Sequence, residues 1–157
     1  DDQQLPPLSA ELRLFLDDAV SLARVVAPTY CGPWALGALA LATDDLRASR
    51  RLLDEGEALL ARGCVSHNHL EFPLFAIEVS LRAGDHAEAL RHAAELEAYT
   101  RAEPLPWVDV VVARARALAV DAGAASDSHP DLSAVLETAQ RMQFEMLGRV
   151  LLQPAAS

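Results

Sequence analysis

Apolar residues recur at three-and-four spacing along most of the chain, the period of helices buried on one face. In the first segment Leu12, Phe15, Leu16, Ala19, Leu22, Ala23 and Val26 form one such stripe, read as core-facing. Ser9 can cap its start and Pro28 stops it. Gly32-Pro33 then predicts the opening of a short, nearly all-apolar helix, with Pro33 at its first position and its end near Thr43-Asp44. A third helix carries Leu46, Ser49, Leu52, Leu53, Gly56, Leu59 and Leu60 on one face, with Arg47, Arg50, Arg51, Asp54, Glu57 and Arg62 opposite. The small residues Ser49 and Gly56 allow a neighbouring helix to approach closely, and Gly63 ends the element.

The fourth helix is predicted over roughly 68–83, with Pro73 as a first-turn proline or a kink. After the turn Gly84-Asp85, a fifth helix turns Ala89, Leu90, Ala93, Leu96 and Tyr99 inward and pairs Glu97 with Arg101 outside. Pro104 and Pro106 mark the next loop. The sixth helix shows Val108, Val111, Val112, Ala115, Leu118, Ala119 and Ala122 in one stripe, so the valine run at 110–112 is read as helix, not strand. Gly123 to Ser128 is a small-residue loop, and Pro130 starts a seventh helix with Leu132, Val135, Ala139, Met142 and Met146 inward.

The turns at Thr43-Asp44, Gly84-Asp85 and Gly123 are spaced by roughly 40 residues, the mark of helix-pair repeats. The pair Pro-Trp recurs at Pro33-Trp34 and Pro106-Trp107. One unit, Gly84-Asp85-His86-Ala87-Glu88-Ala89-Leu90, resembles the tetratricopeptide turn and second helix. His86 stands where that repeat has an aromatic residue, and Pro73 and Ala76 stand where it has large ones. The fold expected is all-α: antiparallel helix pairs stacked as a tetratricopeptide-like right-handed superhelix of about seven helices. It would form a single helical-repeat domain over 1–157, with pairs over 9–43, 44–83 and 85–122 and a terminal helix over 130–147.

Composition narrows the function classes. All 13 basic residues are arginine, Ile77 is the only isoleucine and Asn68 the only asparagine, a bias expected of a GC-rich bacterial genome. The formal charge of −10 repels phosphate backbones and anionic lipid, so nucleic acid and membrane are excluded as partners. Residues Asp1 to Gln4 lack the basic start of a signal peptide. The uncharged run from Val25 to Thr43 is broken by Pro28, Gly32, Pro33 and Gly37, which argues for a turn and a core helix over a membrane span. Cys31 and Cys64 make no disulfide framework, and a reducing cytoplasm suits them.

A broader resemblance covers about residues 31–122. It rests on Gly63-Cys64-Val65-Ser66-His67-Asn68-His69-Leu70-Glu71-Phe72, on Ala76-Ile77-Glu78, on Leu96-Glu97-Ala98-Tyr99-Thr100-Arg101-Ala102-Glu103-Pro104-Leu105-Pro106-Trp107, and on Ala113-Arg114-Ala115-Arg116-Ala117-Leu118. Together these resemble the C-terminal helical-repeat region of large bacterial class III adenylate/guanylate cyclase-like proteins with a P-loop ATPase domain. The resemblance implies a regulatory or interaction role within a longer signalling polypeptide and carries over no catalytic residue. A chain without lysine has no Gly-x-x-x-x-Gly-Lys-Ser/Thr phosphate loop.

The remaining constellations have plainer readings. Cys64, His67 and His69 offer soft and imidazole ligands for zinc, but a second close pair is missing, and His86 and His92 would have to converge from other helices. Ser66 or Asn68 as a helix cap, with His67 bonded across the loop, explains the same residues. The triplet His67-Asn68-His69 lacks the basic surroundings of a nuclease. Glu71 with Glu78, and Glu95 with Glu97, are read as solvated helix faces in preference to acid–base pairs. No catalytic, cofactor-binding or metal residue is assigned. The chain reads as a non-catalytic scaffold whose concave groove holds a protein, a peptide or another domain of its parent, with Arg47, Arg51, Arg91, Arg114 and Arg116 as candidates to meet acidic groups. The alternative is a small-molecule sensor with an apolar pocket around Tyr30, Trp34, Phe72, Phe75 and Trp107.

Overall fold

The computed structural model describes residues 10–123 and 132–141. Among them the chain forms only helices: α1 (Ala10–Val26), α2 (Pro28–Ala42), α3 (Leu46–Leu60), α4 (Ser66–Arg82), α5 (His86–Thr100), α6 (Pro106–Asp121) and α7 (Leu132–Arg141). No described helix is long and apolar enough to cross a membrane. The Ser9 cap, the start at Pro130 and the inward placement of Met142 and Met146 lie outside the described residues. The chain divides into two compact units, one up to Val79 and one from Ser80, with the boundary inside α4.

In the first unit α1 packs on α2 and α2 on α3. Val20 and Ala23 of α1 meet Ala35, Leu36 and Leu39 of α2, with Leu16, Cys31, Leu52 and Leu59 around them. A second cluster joins Ala40, Leu53, Phe72, Ala76 and Val79. Phe72 is the bulkiest fully buried side chain, and its ring lies so close to Gly56 that any Cβ there would overlap it. Gly56 therefore does what its place on the inner face of α3 predicts. Ser49, also on that face, is fully buried and turns its hydroxyl on the Ala40 and Thr43 carbonyls at 2.9 and 3.0 Å. These carbonyls stand at the C-terminus of α2, where intrahelical donors have run out.

In the second unit α5 packs on α6 and α6 on α7. Gly84, at φ +70°, ends α4 in the left-handed conformation. Its N–H donates to Leu81 and the Asp85 N–H to Ser80, a Schellman pattern. Asp85 then caps α5, accepting from the Glu88 N–H at 3.2 Å. Ala89, Ala93 and Leu96 are buried as read, but Tyr99 is 45% exposed and Thr100 takes the inner position. Helix α6 is buried on most sides: Val108, Val110, Val111, Val112, Ala115, Ala117 and Ala119 all lie in the core.

Several boundaries and pairings differ from the sequence reading. The α3 cap is Asp45, which accepts from the Arg47 and Ala48 N–H groups, one residue beyond Asp44. Pro73 lies within α4, past its first turn. Glu97 binds Arg116 of the packed helix α6 through both carboxylate oxygens, at 3.2 and 2.9 Å, where the sequence pairs it with Arg101. The bidentate fork holds both charges in one plane, which a flexible i,i+4 pair on a single helix does not.

Two corrections concern the first unit's start. Helix α2 begins at Pro28, five residues earlier than read, and Pro33 lies inside it, fully buried. Helix α1 is rotated from the predicted face. Leu16, Ala19, Val20 and Ala23 point inward, while Phe15, Leu22 and Val26 are exposed.

Candidate functional site

Pro33 has no N–H, so the helix ladder of α2 cannot close onto the Thr29 carbonyl four residues back. A proline inside a helix ordinarily breaks it. Here the break is repaired from the far side of the unit by Val65 and Asn68. The Val65 N–H donates to the Thr29 carbonyl at 3.1 Å. The Asn68 amide occupies the next rung. Its Oδ1 accepts from the Trp34 N–H at 3.1 Å, and its Nδ2 donates to the Tyr30 carbonyl at 2.7 Å. In an unbroken helix that N–H and that carbonyl would bond each other. One side-chain amide, carrying a donor and an acceptor, therefore stands in for the rung. Asn68 is completely buried. The sequence reads Ser66 or Asn68 as the cap of α4; Asn68 instead lies inside the first turn of that helix and supports α2 from there.

The same repair fixes an aromatic edge above it. Tyr30 and Trp34 lie one turn apart and are 63% and 42% exposed. The His67 ring meets Tyr30 edge-on, with centroids 5.2 Å apart and planes at 70°. Val65 beside them is exposed.

Helix α1 carries a second set of exposed apolar side chains. Leu14, Phe15, Leu22, Val25 and Val26 are 65, 67, 63, 82 and 69% exposed. At helical spacing Leu14, Leu22 and Val25 fall on one face around Asp18, with Phe15 and Val26 on its margin. Asp17 and Asp18 are both exposed. Arg24, on the flank, is tied to Glu55 of α3 through two contacts of 2.6 Å, and this hydrogen-bonded pairing raises its pKa further. Sequence reading missed this face, although the spacing of Leu14, Asp18, Leu22 and Val25 is visible in the chain.

The residues proposed as sites from sequence are dispersed. Cys64, Sγ 3.3 Å from the Leu59 carbonyl, donates to it, and burial pushes its thiol pKa up, away from the thiolate that binds metal. Cys64, His67 and His69 do not bring three ligand atoms within 4.8 Å of one another. Glu78 is buried, Glu71 half-buried, and Glu95 takes the Arg91 guanidinium at 2.8 Å. Of the arginines, Arg47 and Arg51 are exposed, Arg91 is held by Glu88 and Glu95, Arg116 by Glu97, and Arg114 is buried. Of the aromatic residues read as a pocket, Phe72 is core, Phe75 is half-buried against Gly37, Tyr30 and Trp34 are exposed, and Trp107 belongs to the second unit. An open cleft of about 340 Å³ lies between α6 and α7, lined by Pro106, Asp109, Val110, Ala113, Ala134, Val135 and Thr138.

Comparison with family models, with curated proteins and with solved structures finds no match.

Proposed function

We propose that this chain is a non-catalytic protein-interaction module, a tetratricopeptide-like stack of helix pairs within a larger bacterial signalling protein of the cytoplasm. Its partner is a peptide, another protein or another domain of the same parent. The observation that carries this reading is the outer face of α1, where five large apolar side chains stand more than half exposed on one helix. An isolated exposed leucine needs no explanation, but a contiguous apolar stripe is costly in water and marks a contact surface. Rigid support suits the same role. The exposed edge of α2 in the same unit is held by a buried side-chain rung, so Tyr30 and Trp34 are presented on fixed backbone.

Display of random helical peptides against the native chain tests the reading. Peptides should be enriched that bind the chain and fail to bind the double variant Leu22→Glu, Val25→Glu. Absence of enrichment, or enrichment indifferent to the double variant, would count against it.

The second reading, a small-molecule sensor, is favoured by the α6–α7 cleft, which is mainly apolar with Asp109 and Thr138 as polar groups. Its test is a ligand-observed fragment screen. Fragments that shift the resonances of Val110 and Val135 would support it, and none doing so would remove it.

A further inference from the structure

We propose that the outer face of α1 docks a basic amphipathic helix, with an arginine or lysine of the partner set into its apolar stripe opposite Asp18; the inference rests on the interaction-module reading and names its partner class. Two features of the face select this occupant. The first is shape. Leu14, Leu22 and Val25 lie within about two turns of Asp18 on either side, which is the footprint of one packed helix. The second is charge. Asp18 stands in the middle of the stripe and Asp17 on its border, both exposed. A purely apolar partner helix would strip water from Asp18 and give nothing back. A partner cation at that position pairs with it as the surrounding side chains exclude water, and there charge pairing is strongest.

The same charges disfavour a second copy of this chain. A two-fold crossing at the middle of α1 would bring Asp17 and Asp18 against their own counterparts. Of the two cations of α1, Arg13 and Arg24, Arg24 is already held by Glu55. An acidic lipid surface is disfavoured for the same reason as the second copy.

The test uses two synthetic helical peptides with the same leucine stripe, one carrying arginine and one glutamate at the central position. Both are titrated into the full chain and into its Asp18→Arg variant. The arginine peptide should bind the native chain about five- to tenfold tighter than the glutamate peptide, and Asp18→Arg should invert the order. Asp18 is exposed, so unchanged circular dichroism of the variant shows that the inversion is not misfolding. Equal affinities for the two peptides, with both lost in Leu22→Glu, Val25→Glu, would overturn the basic-partner inference and leave the module reading standing. No binding of either peptide would overturn the inference here, while peptide display decides the module reading separately. Concentration-dependent dimerisation abolished by Leu22→Glu, Val25→Glu would assign the face to a second copy instead. Preferential binding of a peptide of residues 142–157 would assign it to the chain's own segment, and either result overturns the proposal.

Discussion

At the residue scale the weightiest position is Asn68. It is the only asparagine in the chain, and its amide completes a rung that Pro33 opens 35 positions away. Leucine has the same branched shape, with bulkier methyl groups and no polar atoms. Asn68→Leu should leave the Trp34 N–H and the Tyr30 carbonyl without the partner they now have, at a cost of at least about 2 kcal/mol in urea unfolding. A loss below about 0.5 kcal/mol would mean that water or a backbone shift replaces the rung. Gly56 offers a test of packing with no polar group involved. A methyl group there meets the Phe72 ring, which is enclosed and cannot swing away. Gly56→Ala should cost about 1–3 kcal/mol, although alanine is the better helix former by about 1 kcal/mol. A stabilised variant would contradict the contact. The small residue at position 56 was legible from the α3 face alone. The Asn68 rung was not, because Pro33 signals only that a helix is in trouble. Which distant side chain rescues it is decided by tertiary packing, and no local pattern carries that information.

At the scale of elements, α5 shows how far periodicity reaches. Ala89 is fully buried and Ala98 exposed, as the turn at Gly84-Asp85 predicts. Ala89→Leu should therefore overpack the helix contact and cost about 1–3 kcal/mol, while Ala98→Leu should cost less than about 0.5 kcal/mol. The two changes share chemistry and helix, so helix propensity cancels, and equal denaturation midpoints would contradict the rotation described for α5. Helix α1 shows where periodicity fails. Its apolar residues form two stripes, Leu16, Ala19, Val20 and Ala23 on one side, Leu14, Phe15, Leu22, Val25 and Val26 on the other. Counting hydrophobic positions favours the bulkier residues as core. Packing favours the smaller ones, because Val20 and Ala23 let α1 approach Ala35, Leu36 and Leu39 of α2 closely. Bulk is left outside, which is the pattern of a surface with a second task.

For the whole molecule, the helical architecture was readable because the apolar period, the turn glycines and the acidic caps agree with one another at nearly every element. The candidate site was not read as a face, because the period assigns Phe15, Leu22 and Val26 to the core and the structure leaves them in water. The central claim is that the outer face of α1 is a binding surface and not a misplaced part of the core. Titration calorimetry of a display-selected peptide into the native chain and into Leu22→Glu, Val25→Glu tests it most directly. The account predicts that the double variant, with unchanged thermal unfolding, loses at least about tenfold in affinity. Unchanged affinity, or a variant that no longer folds, would contradict it.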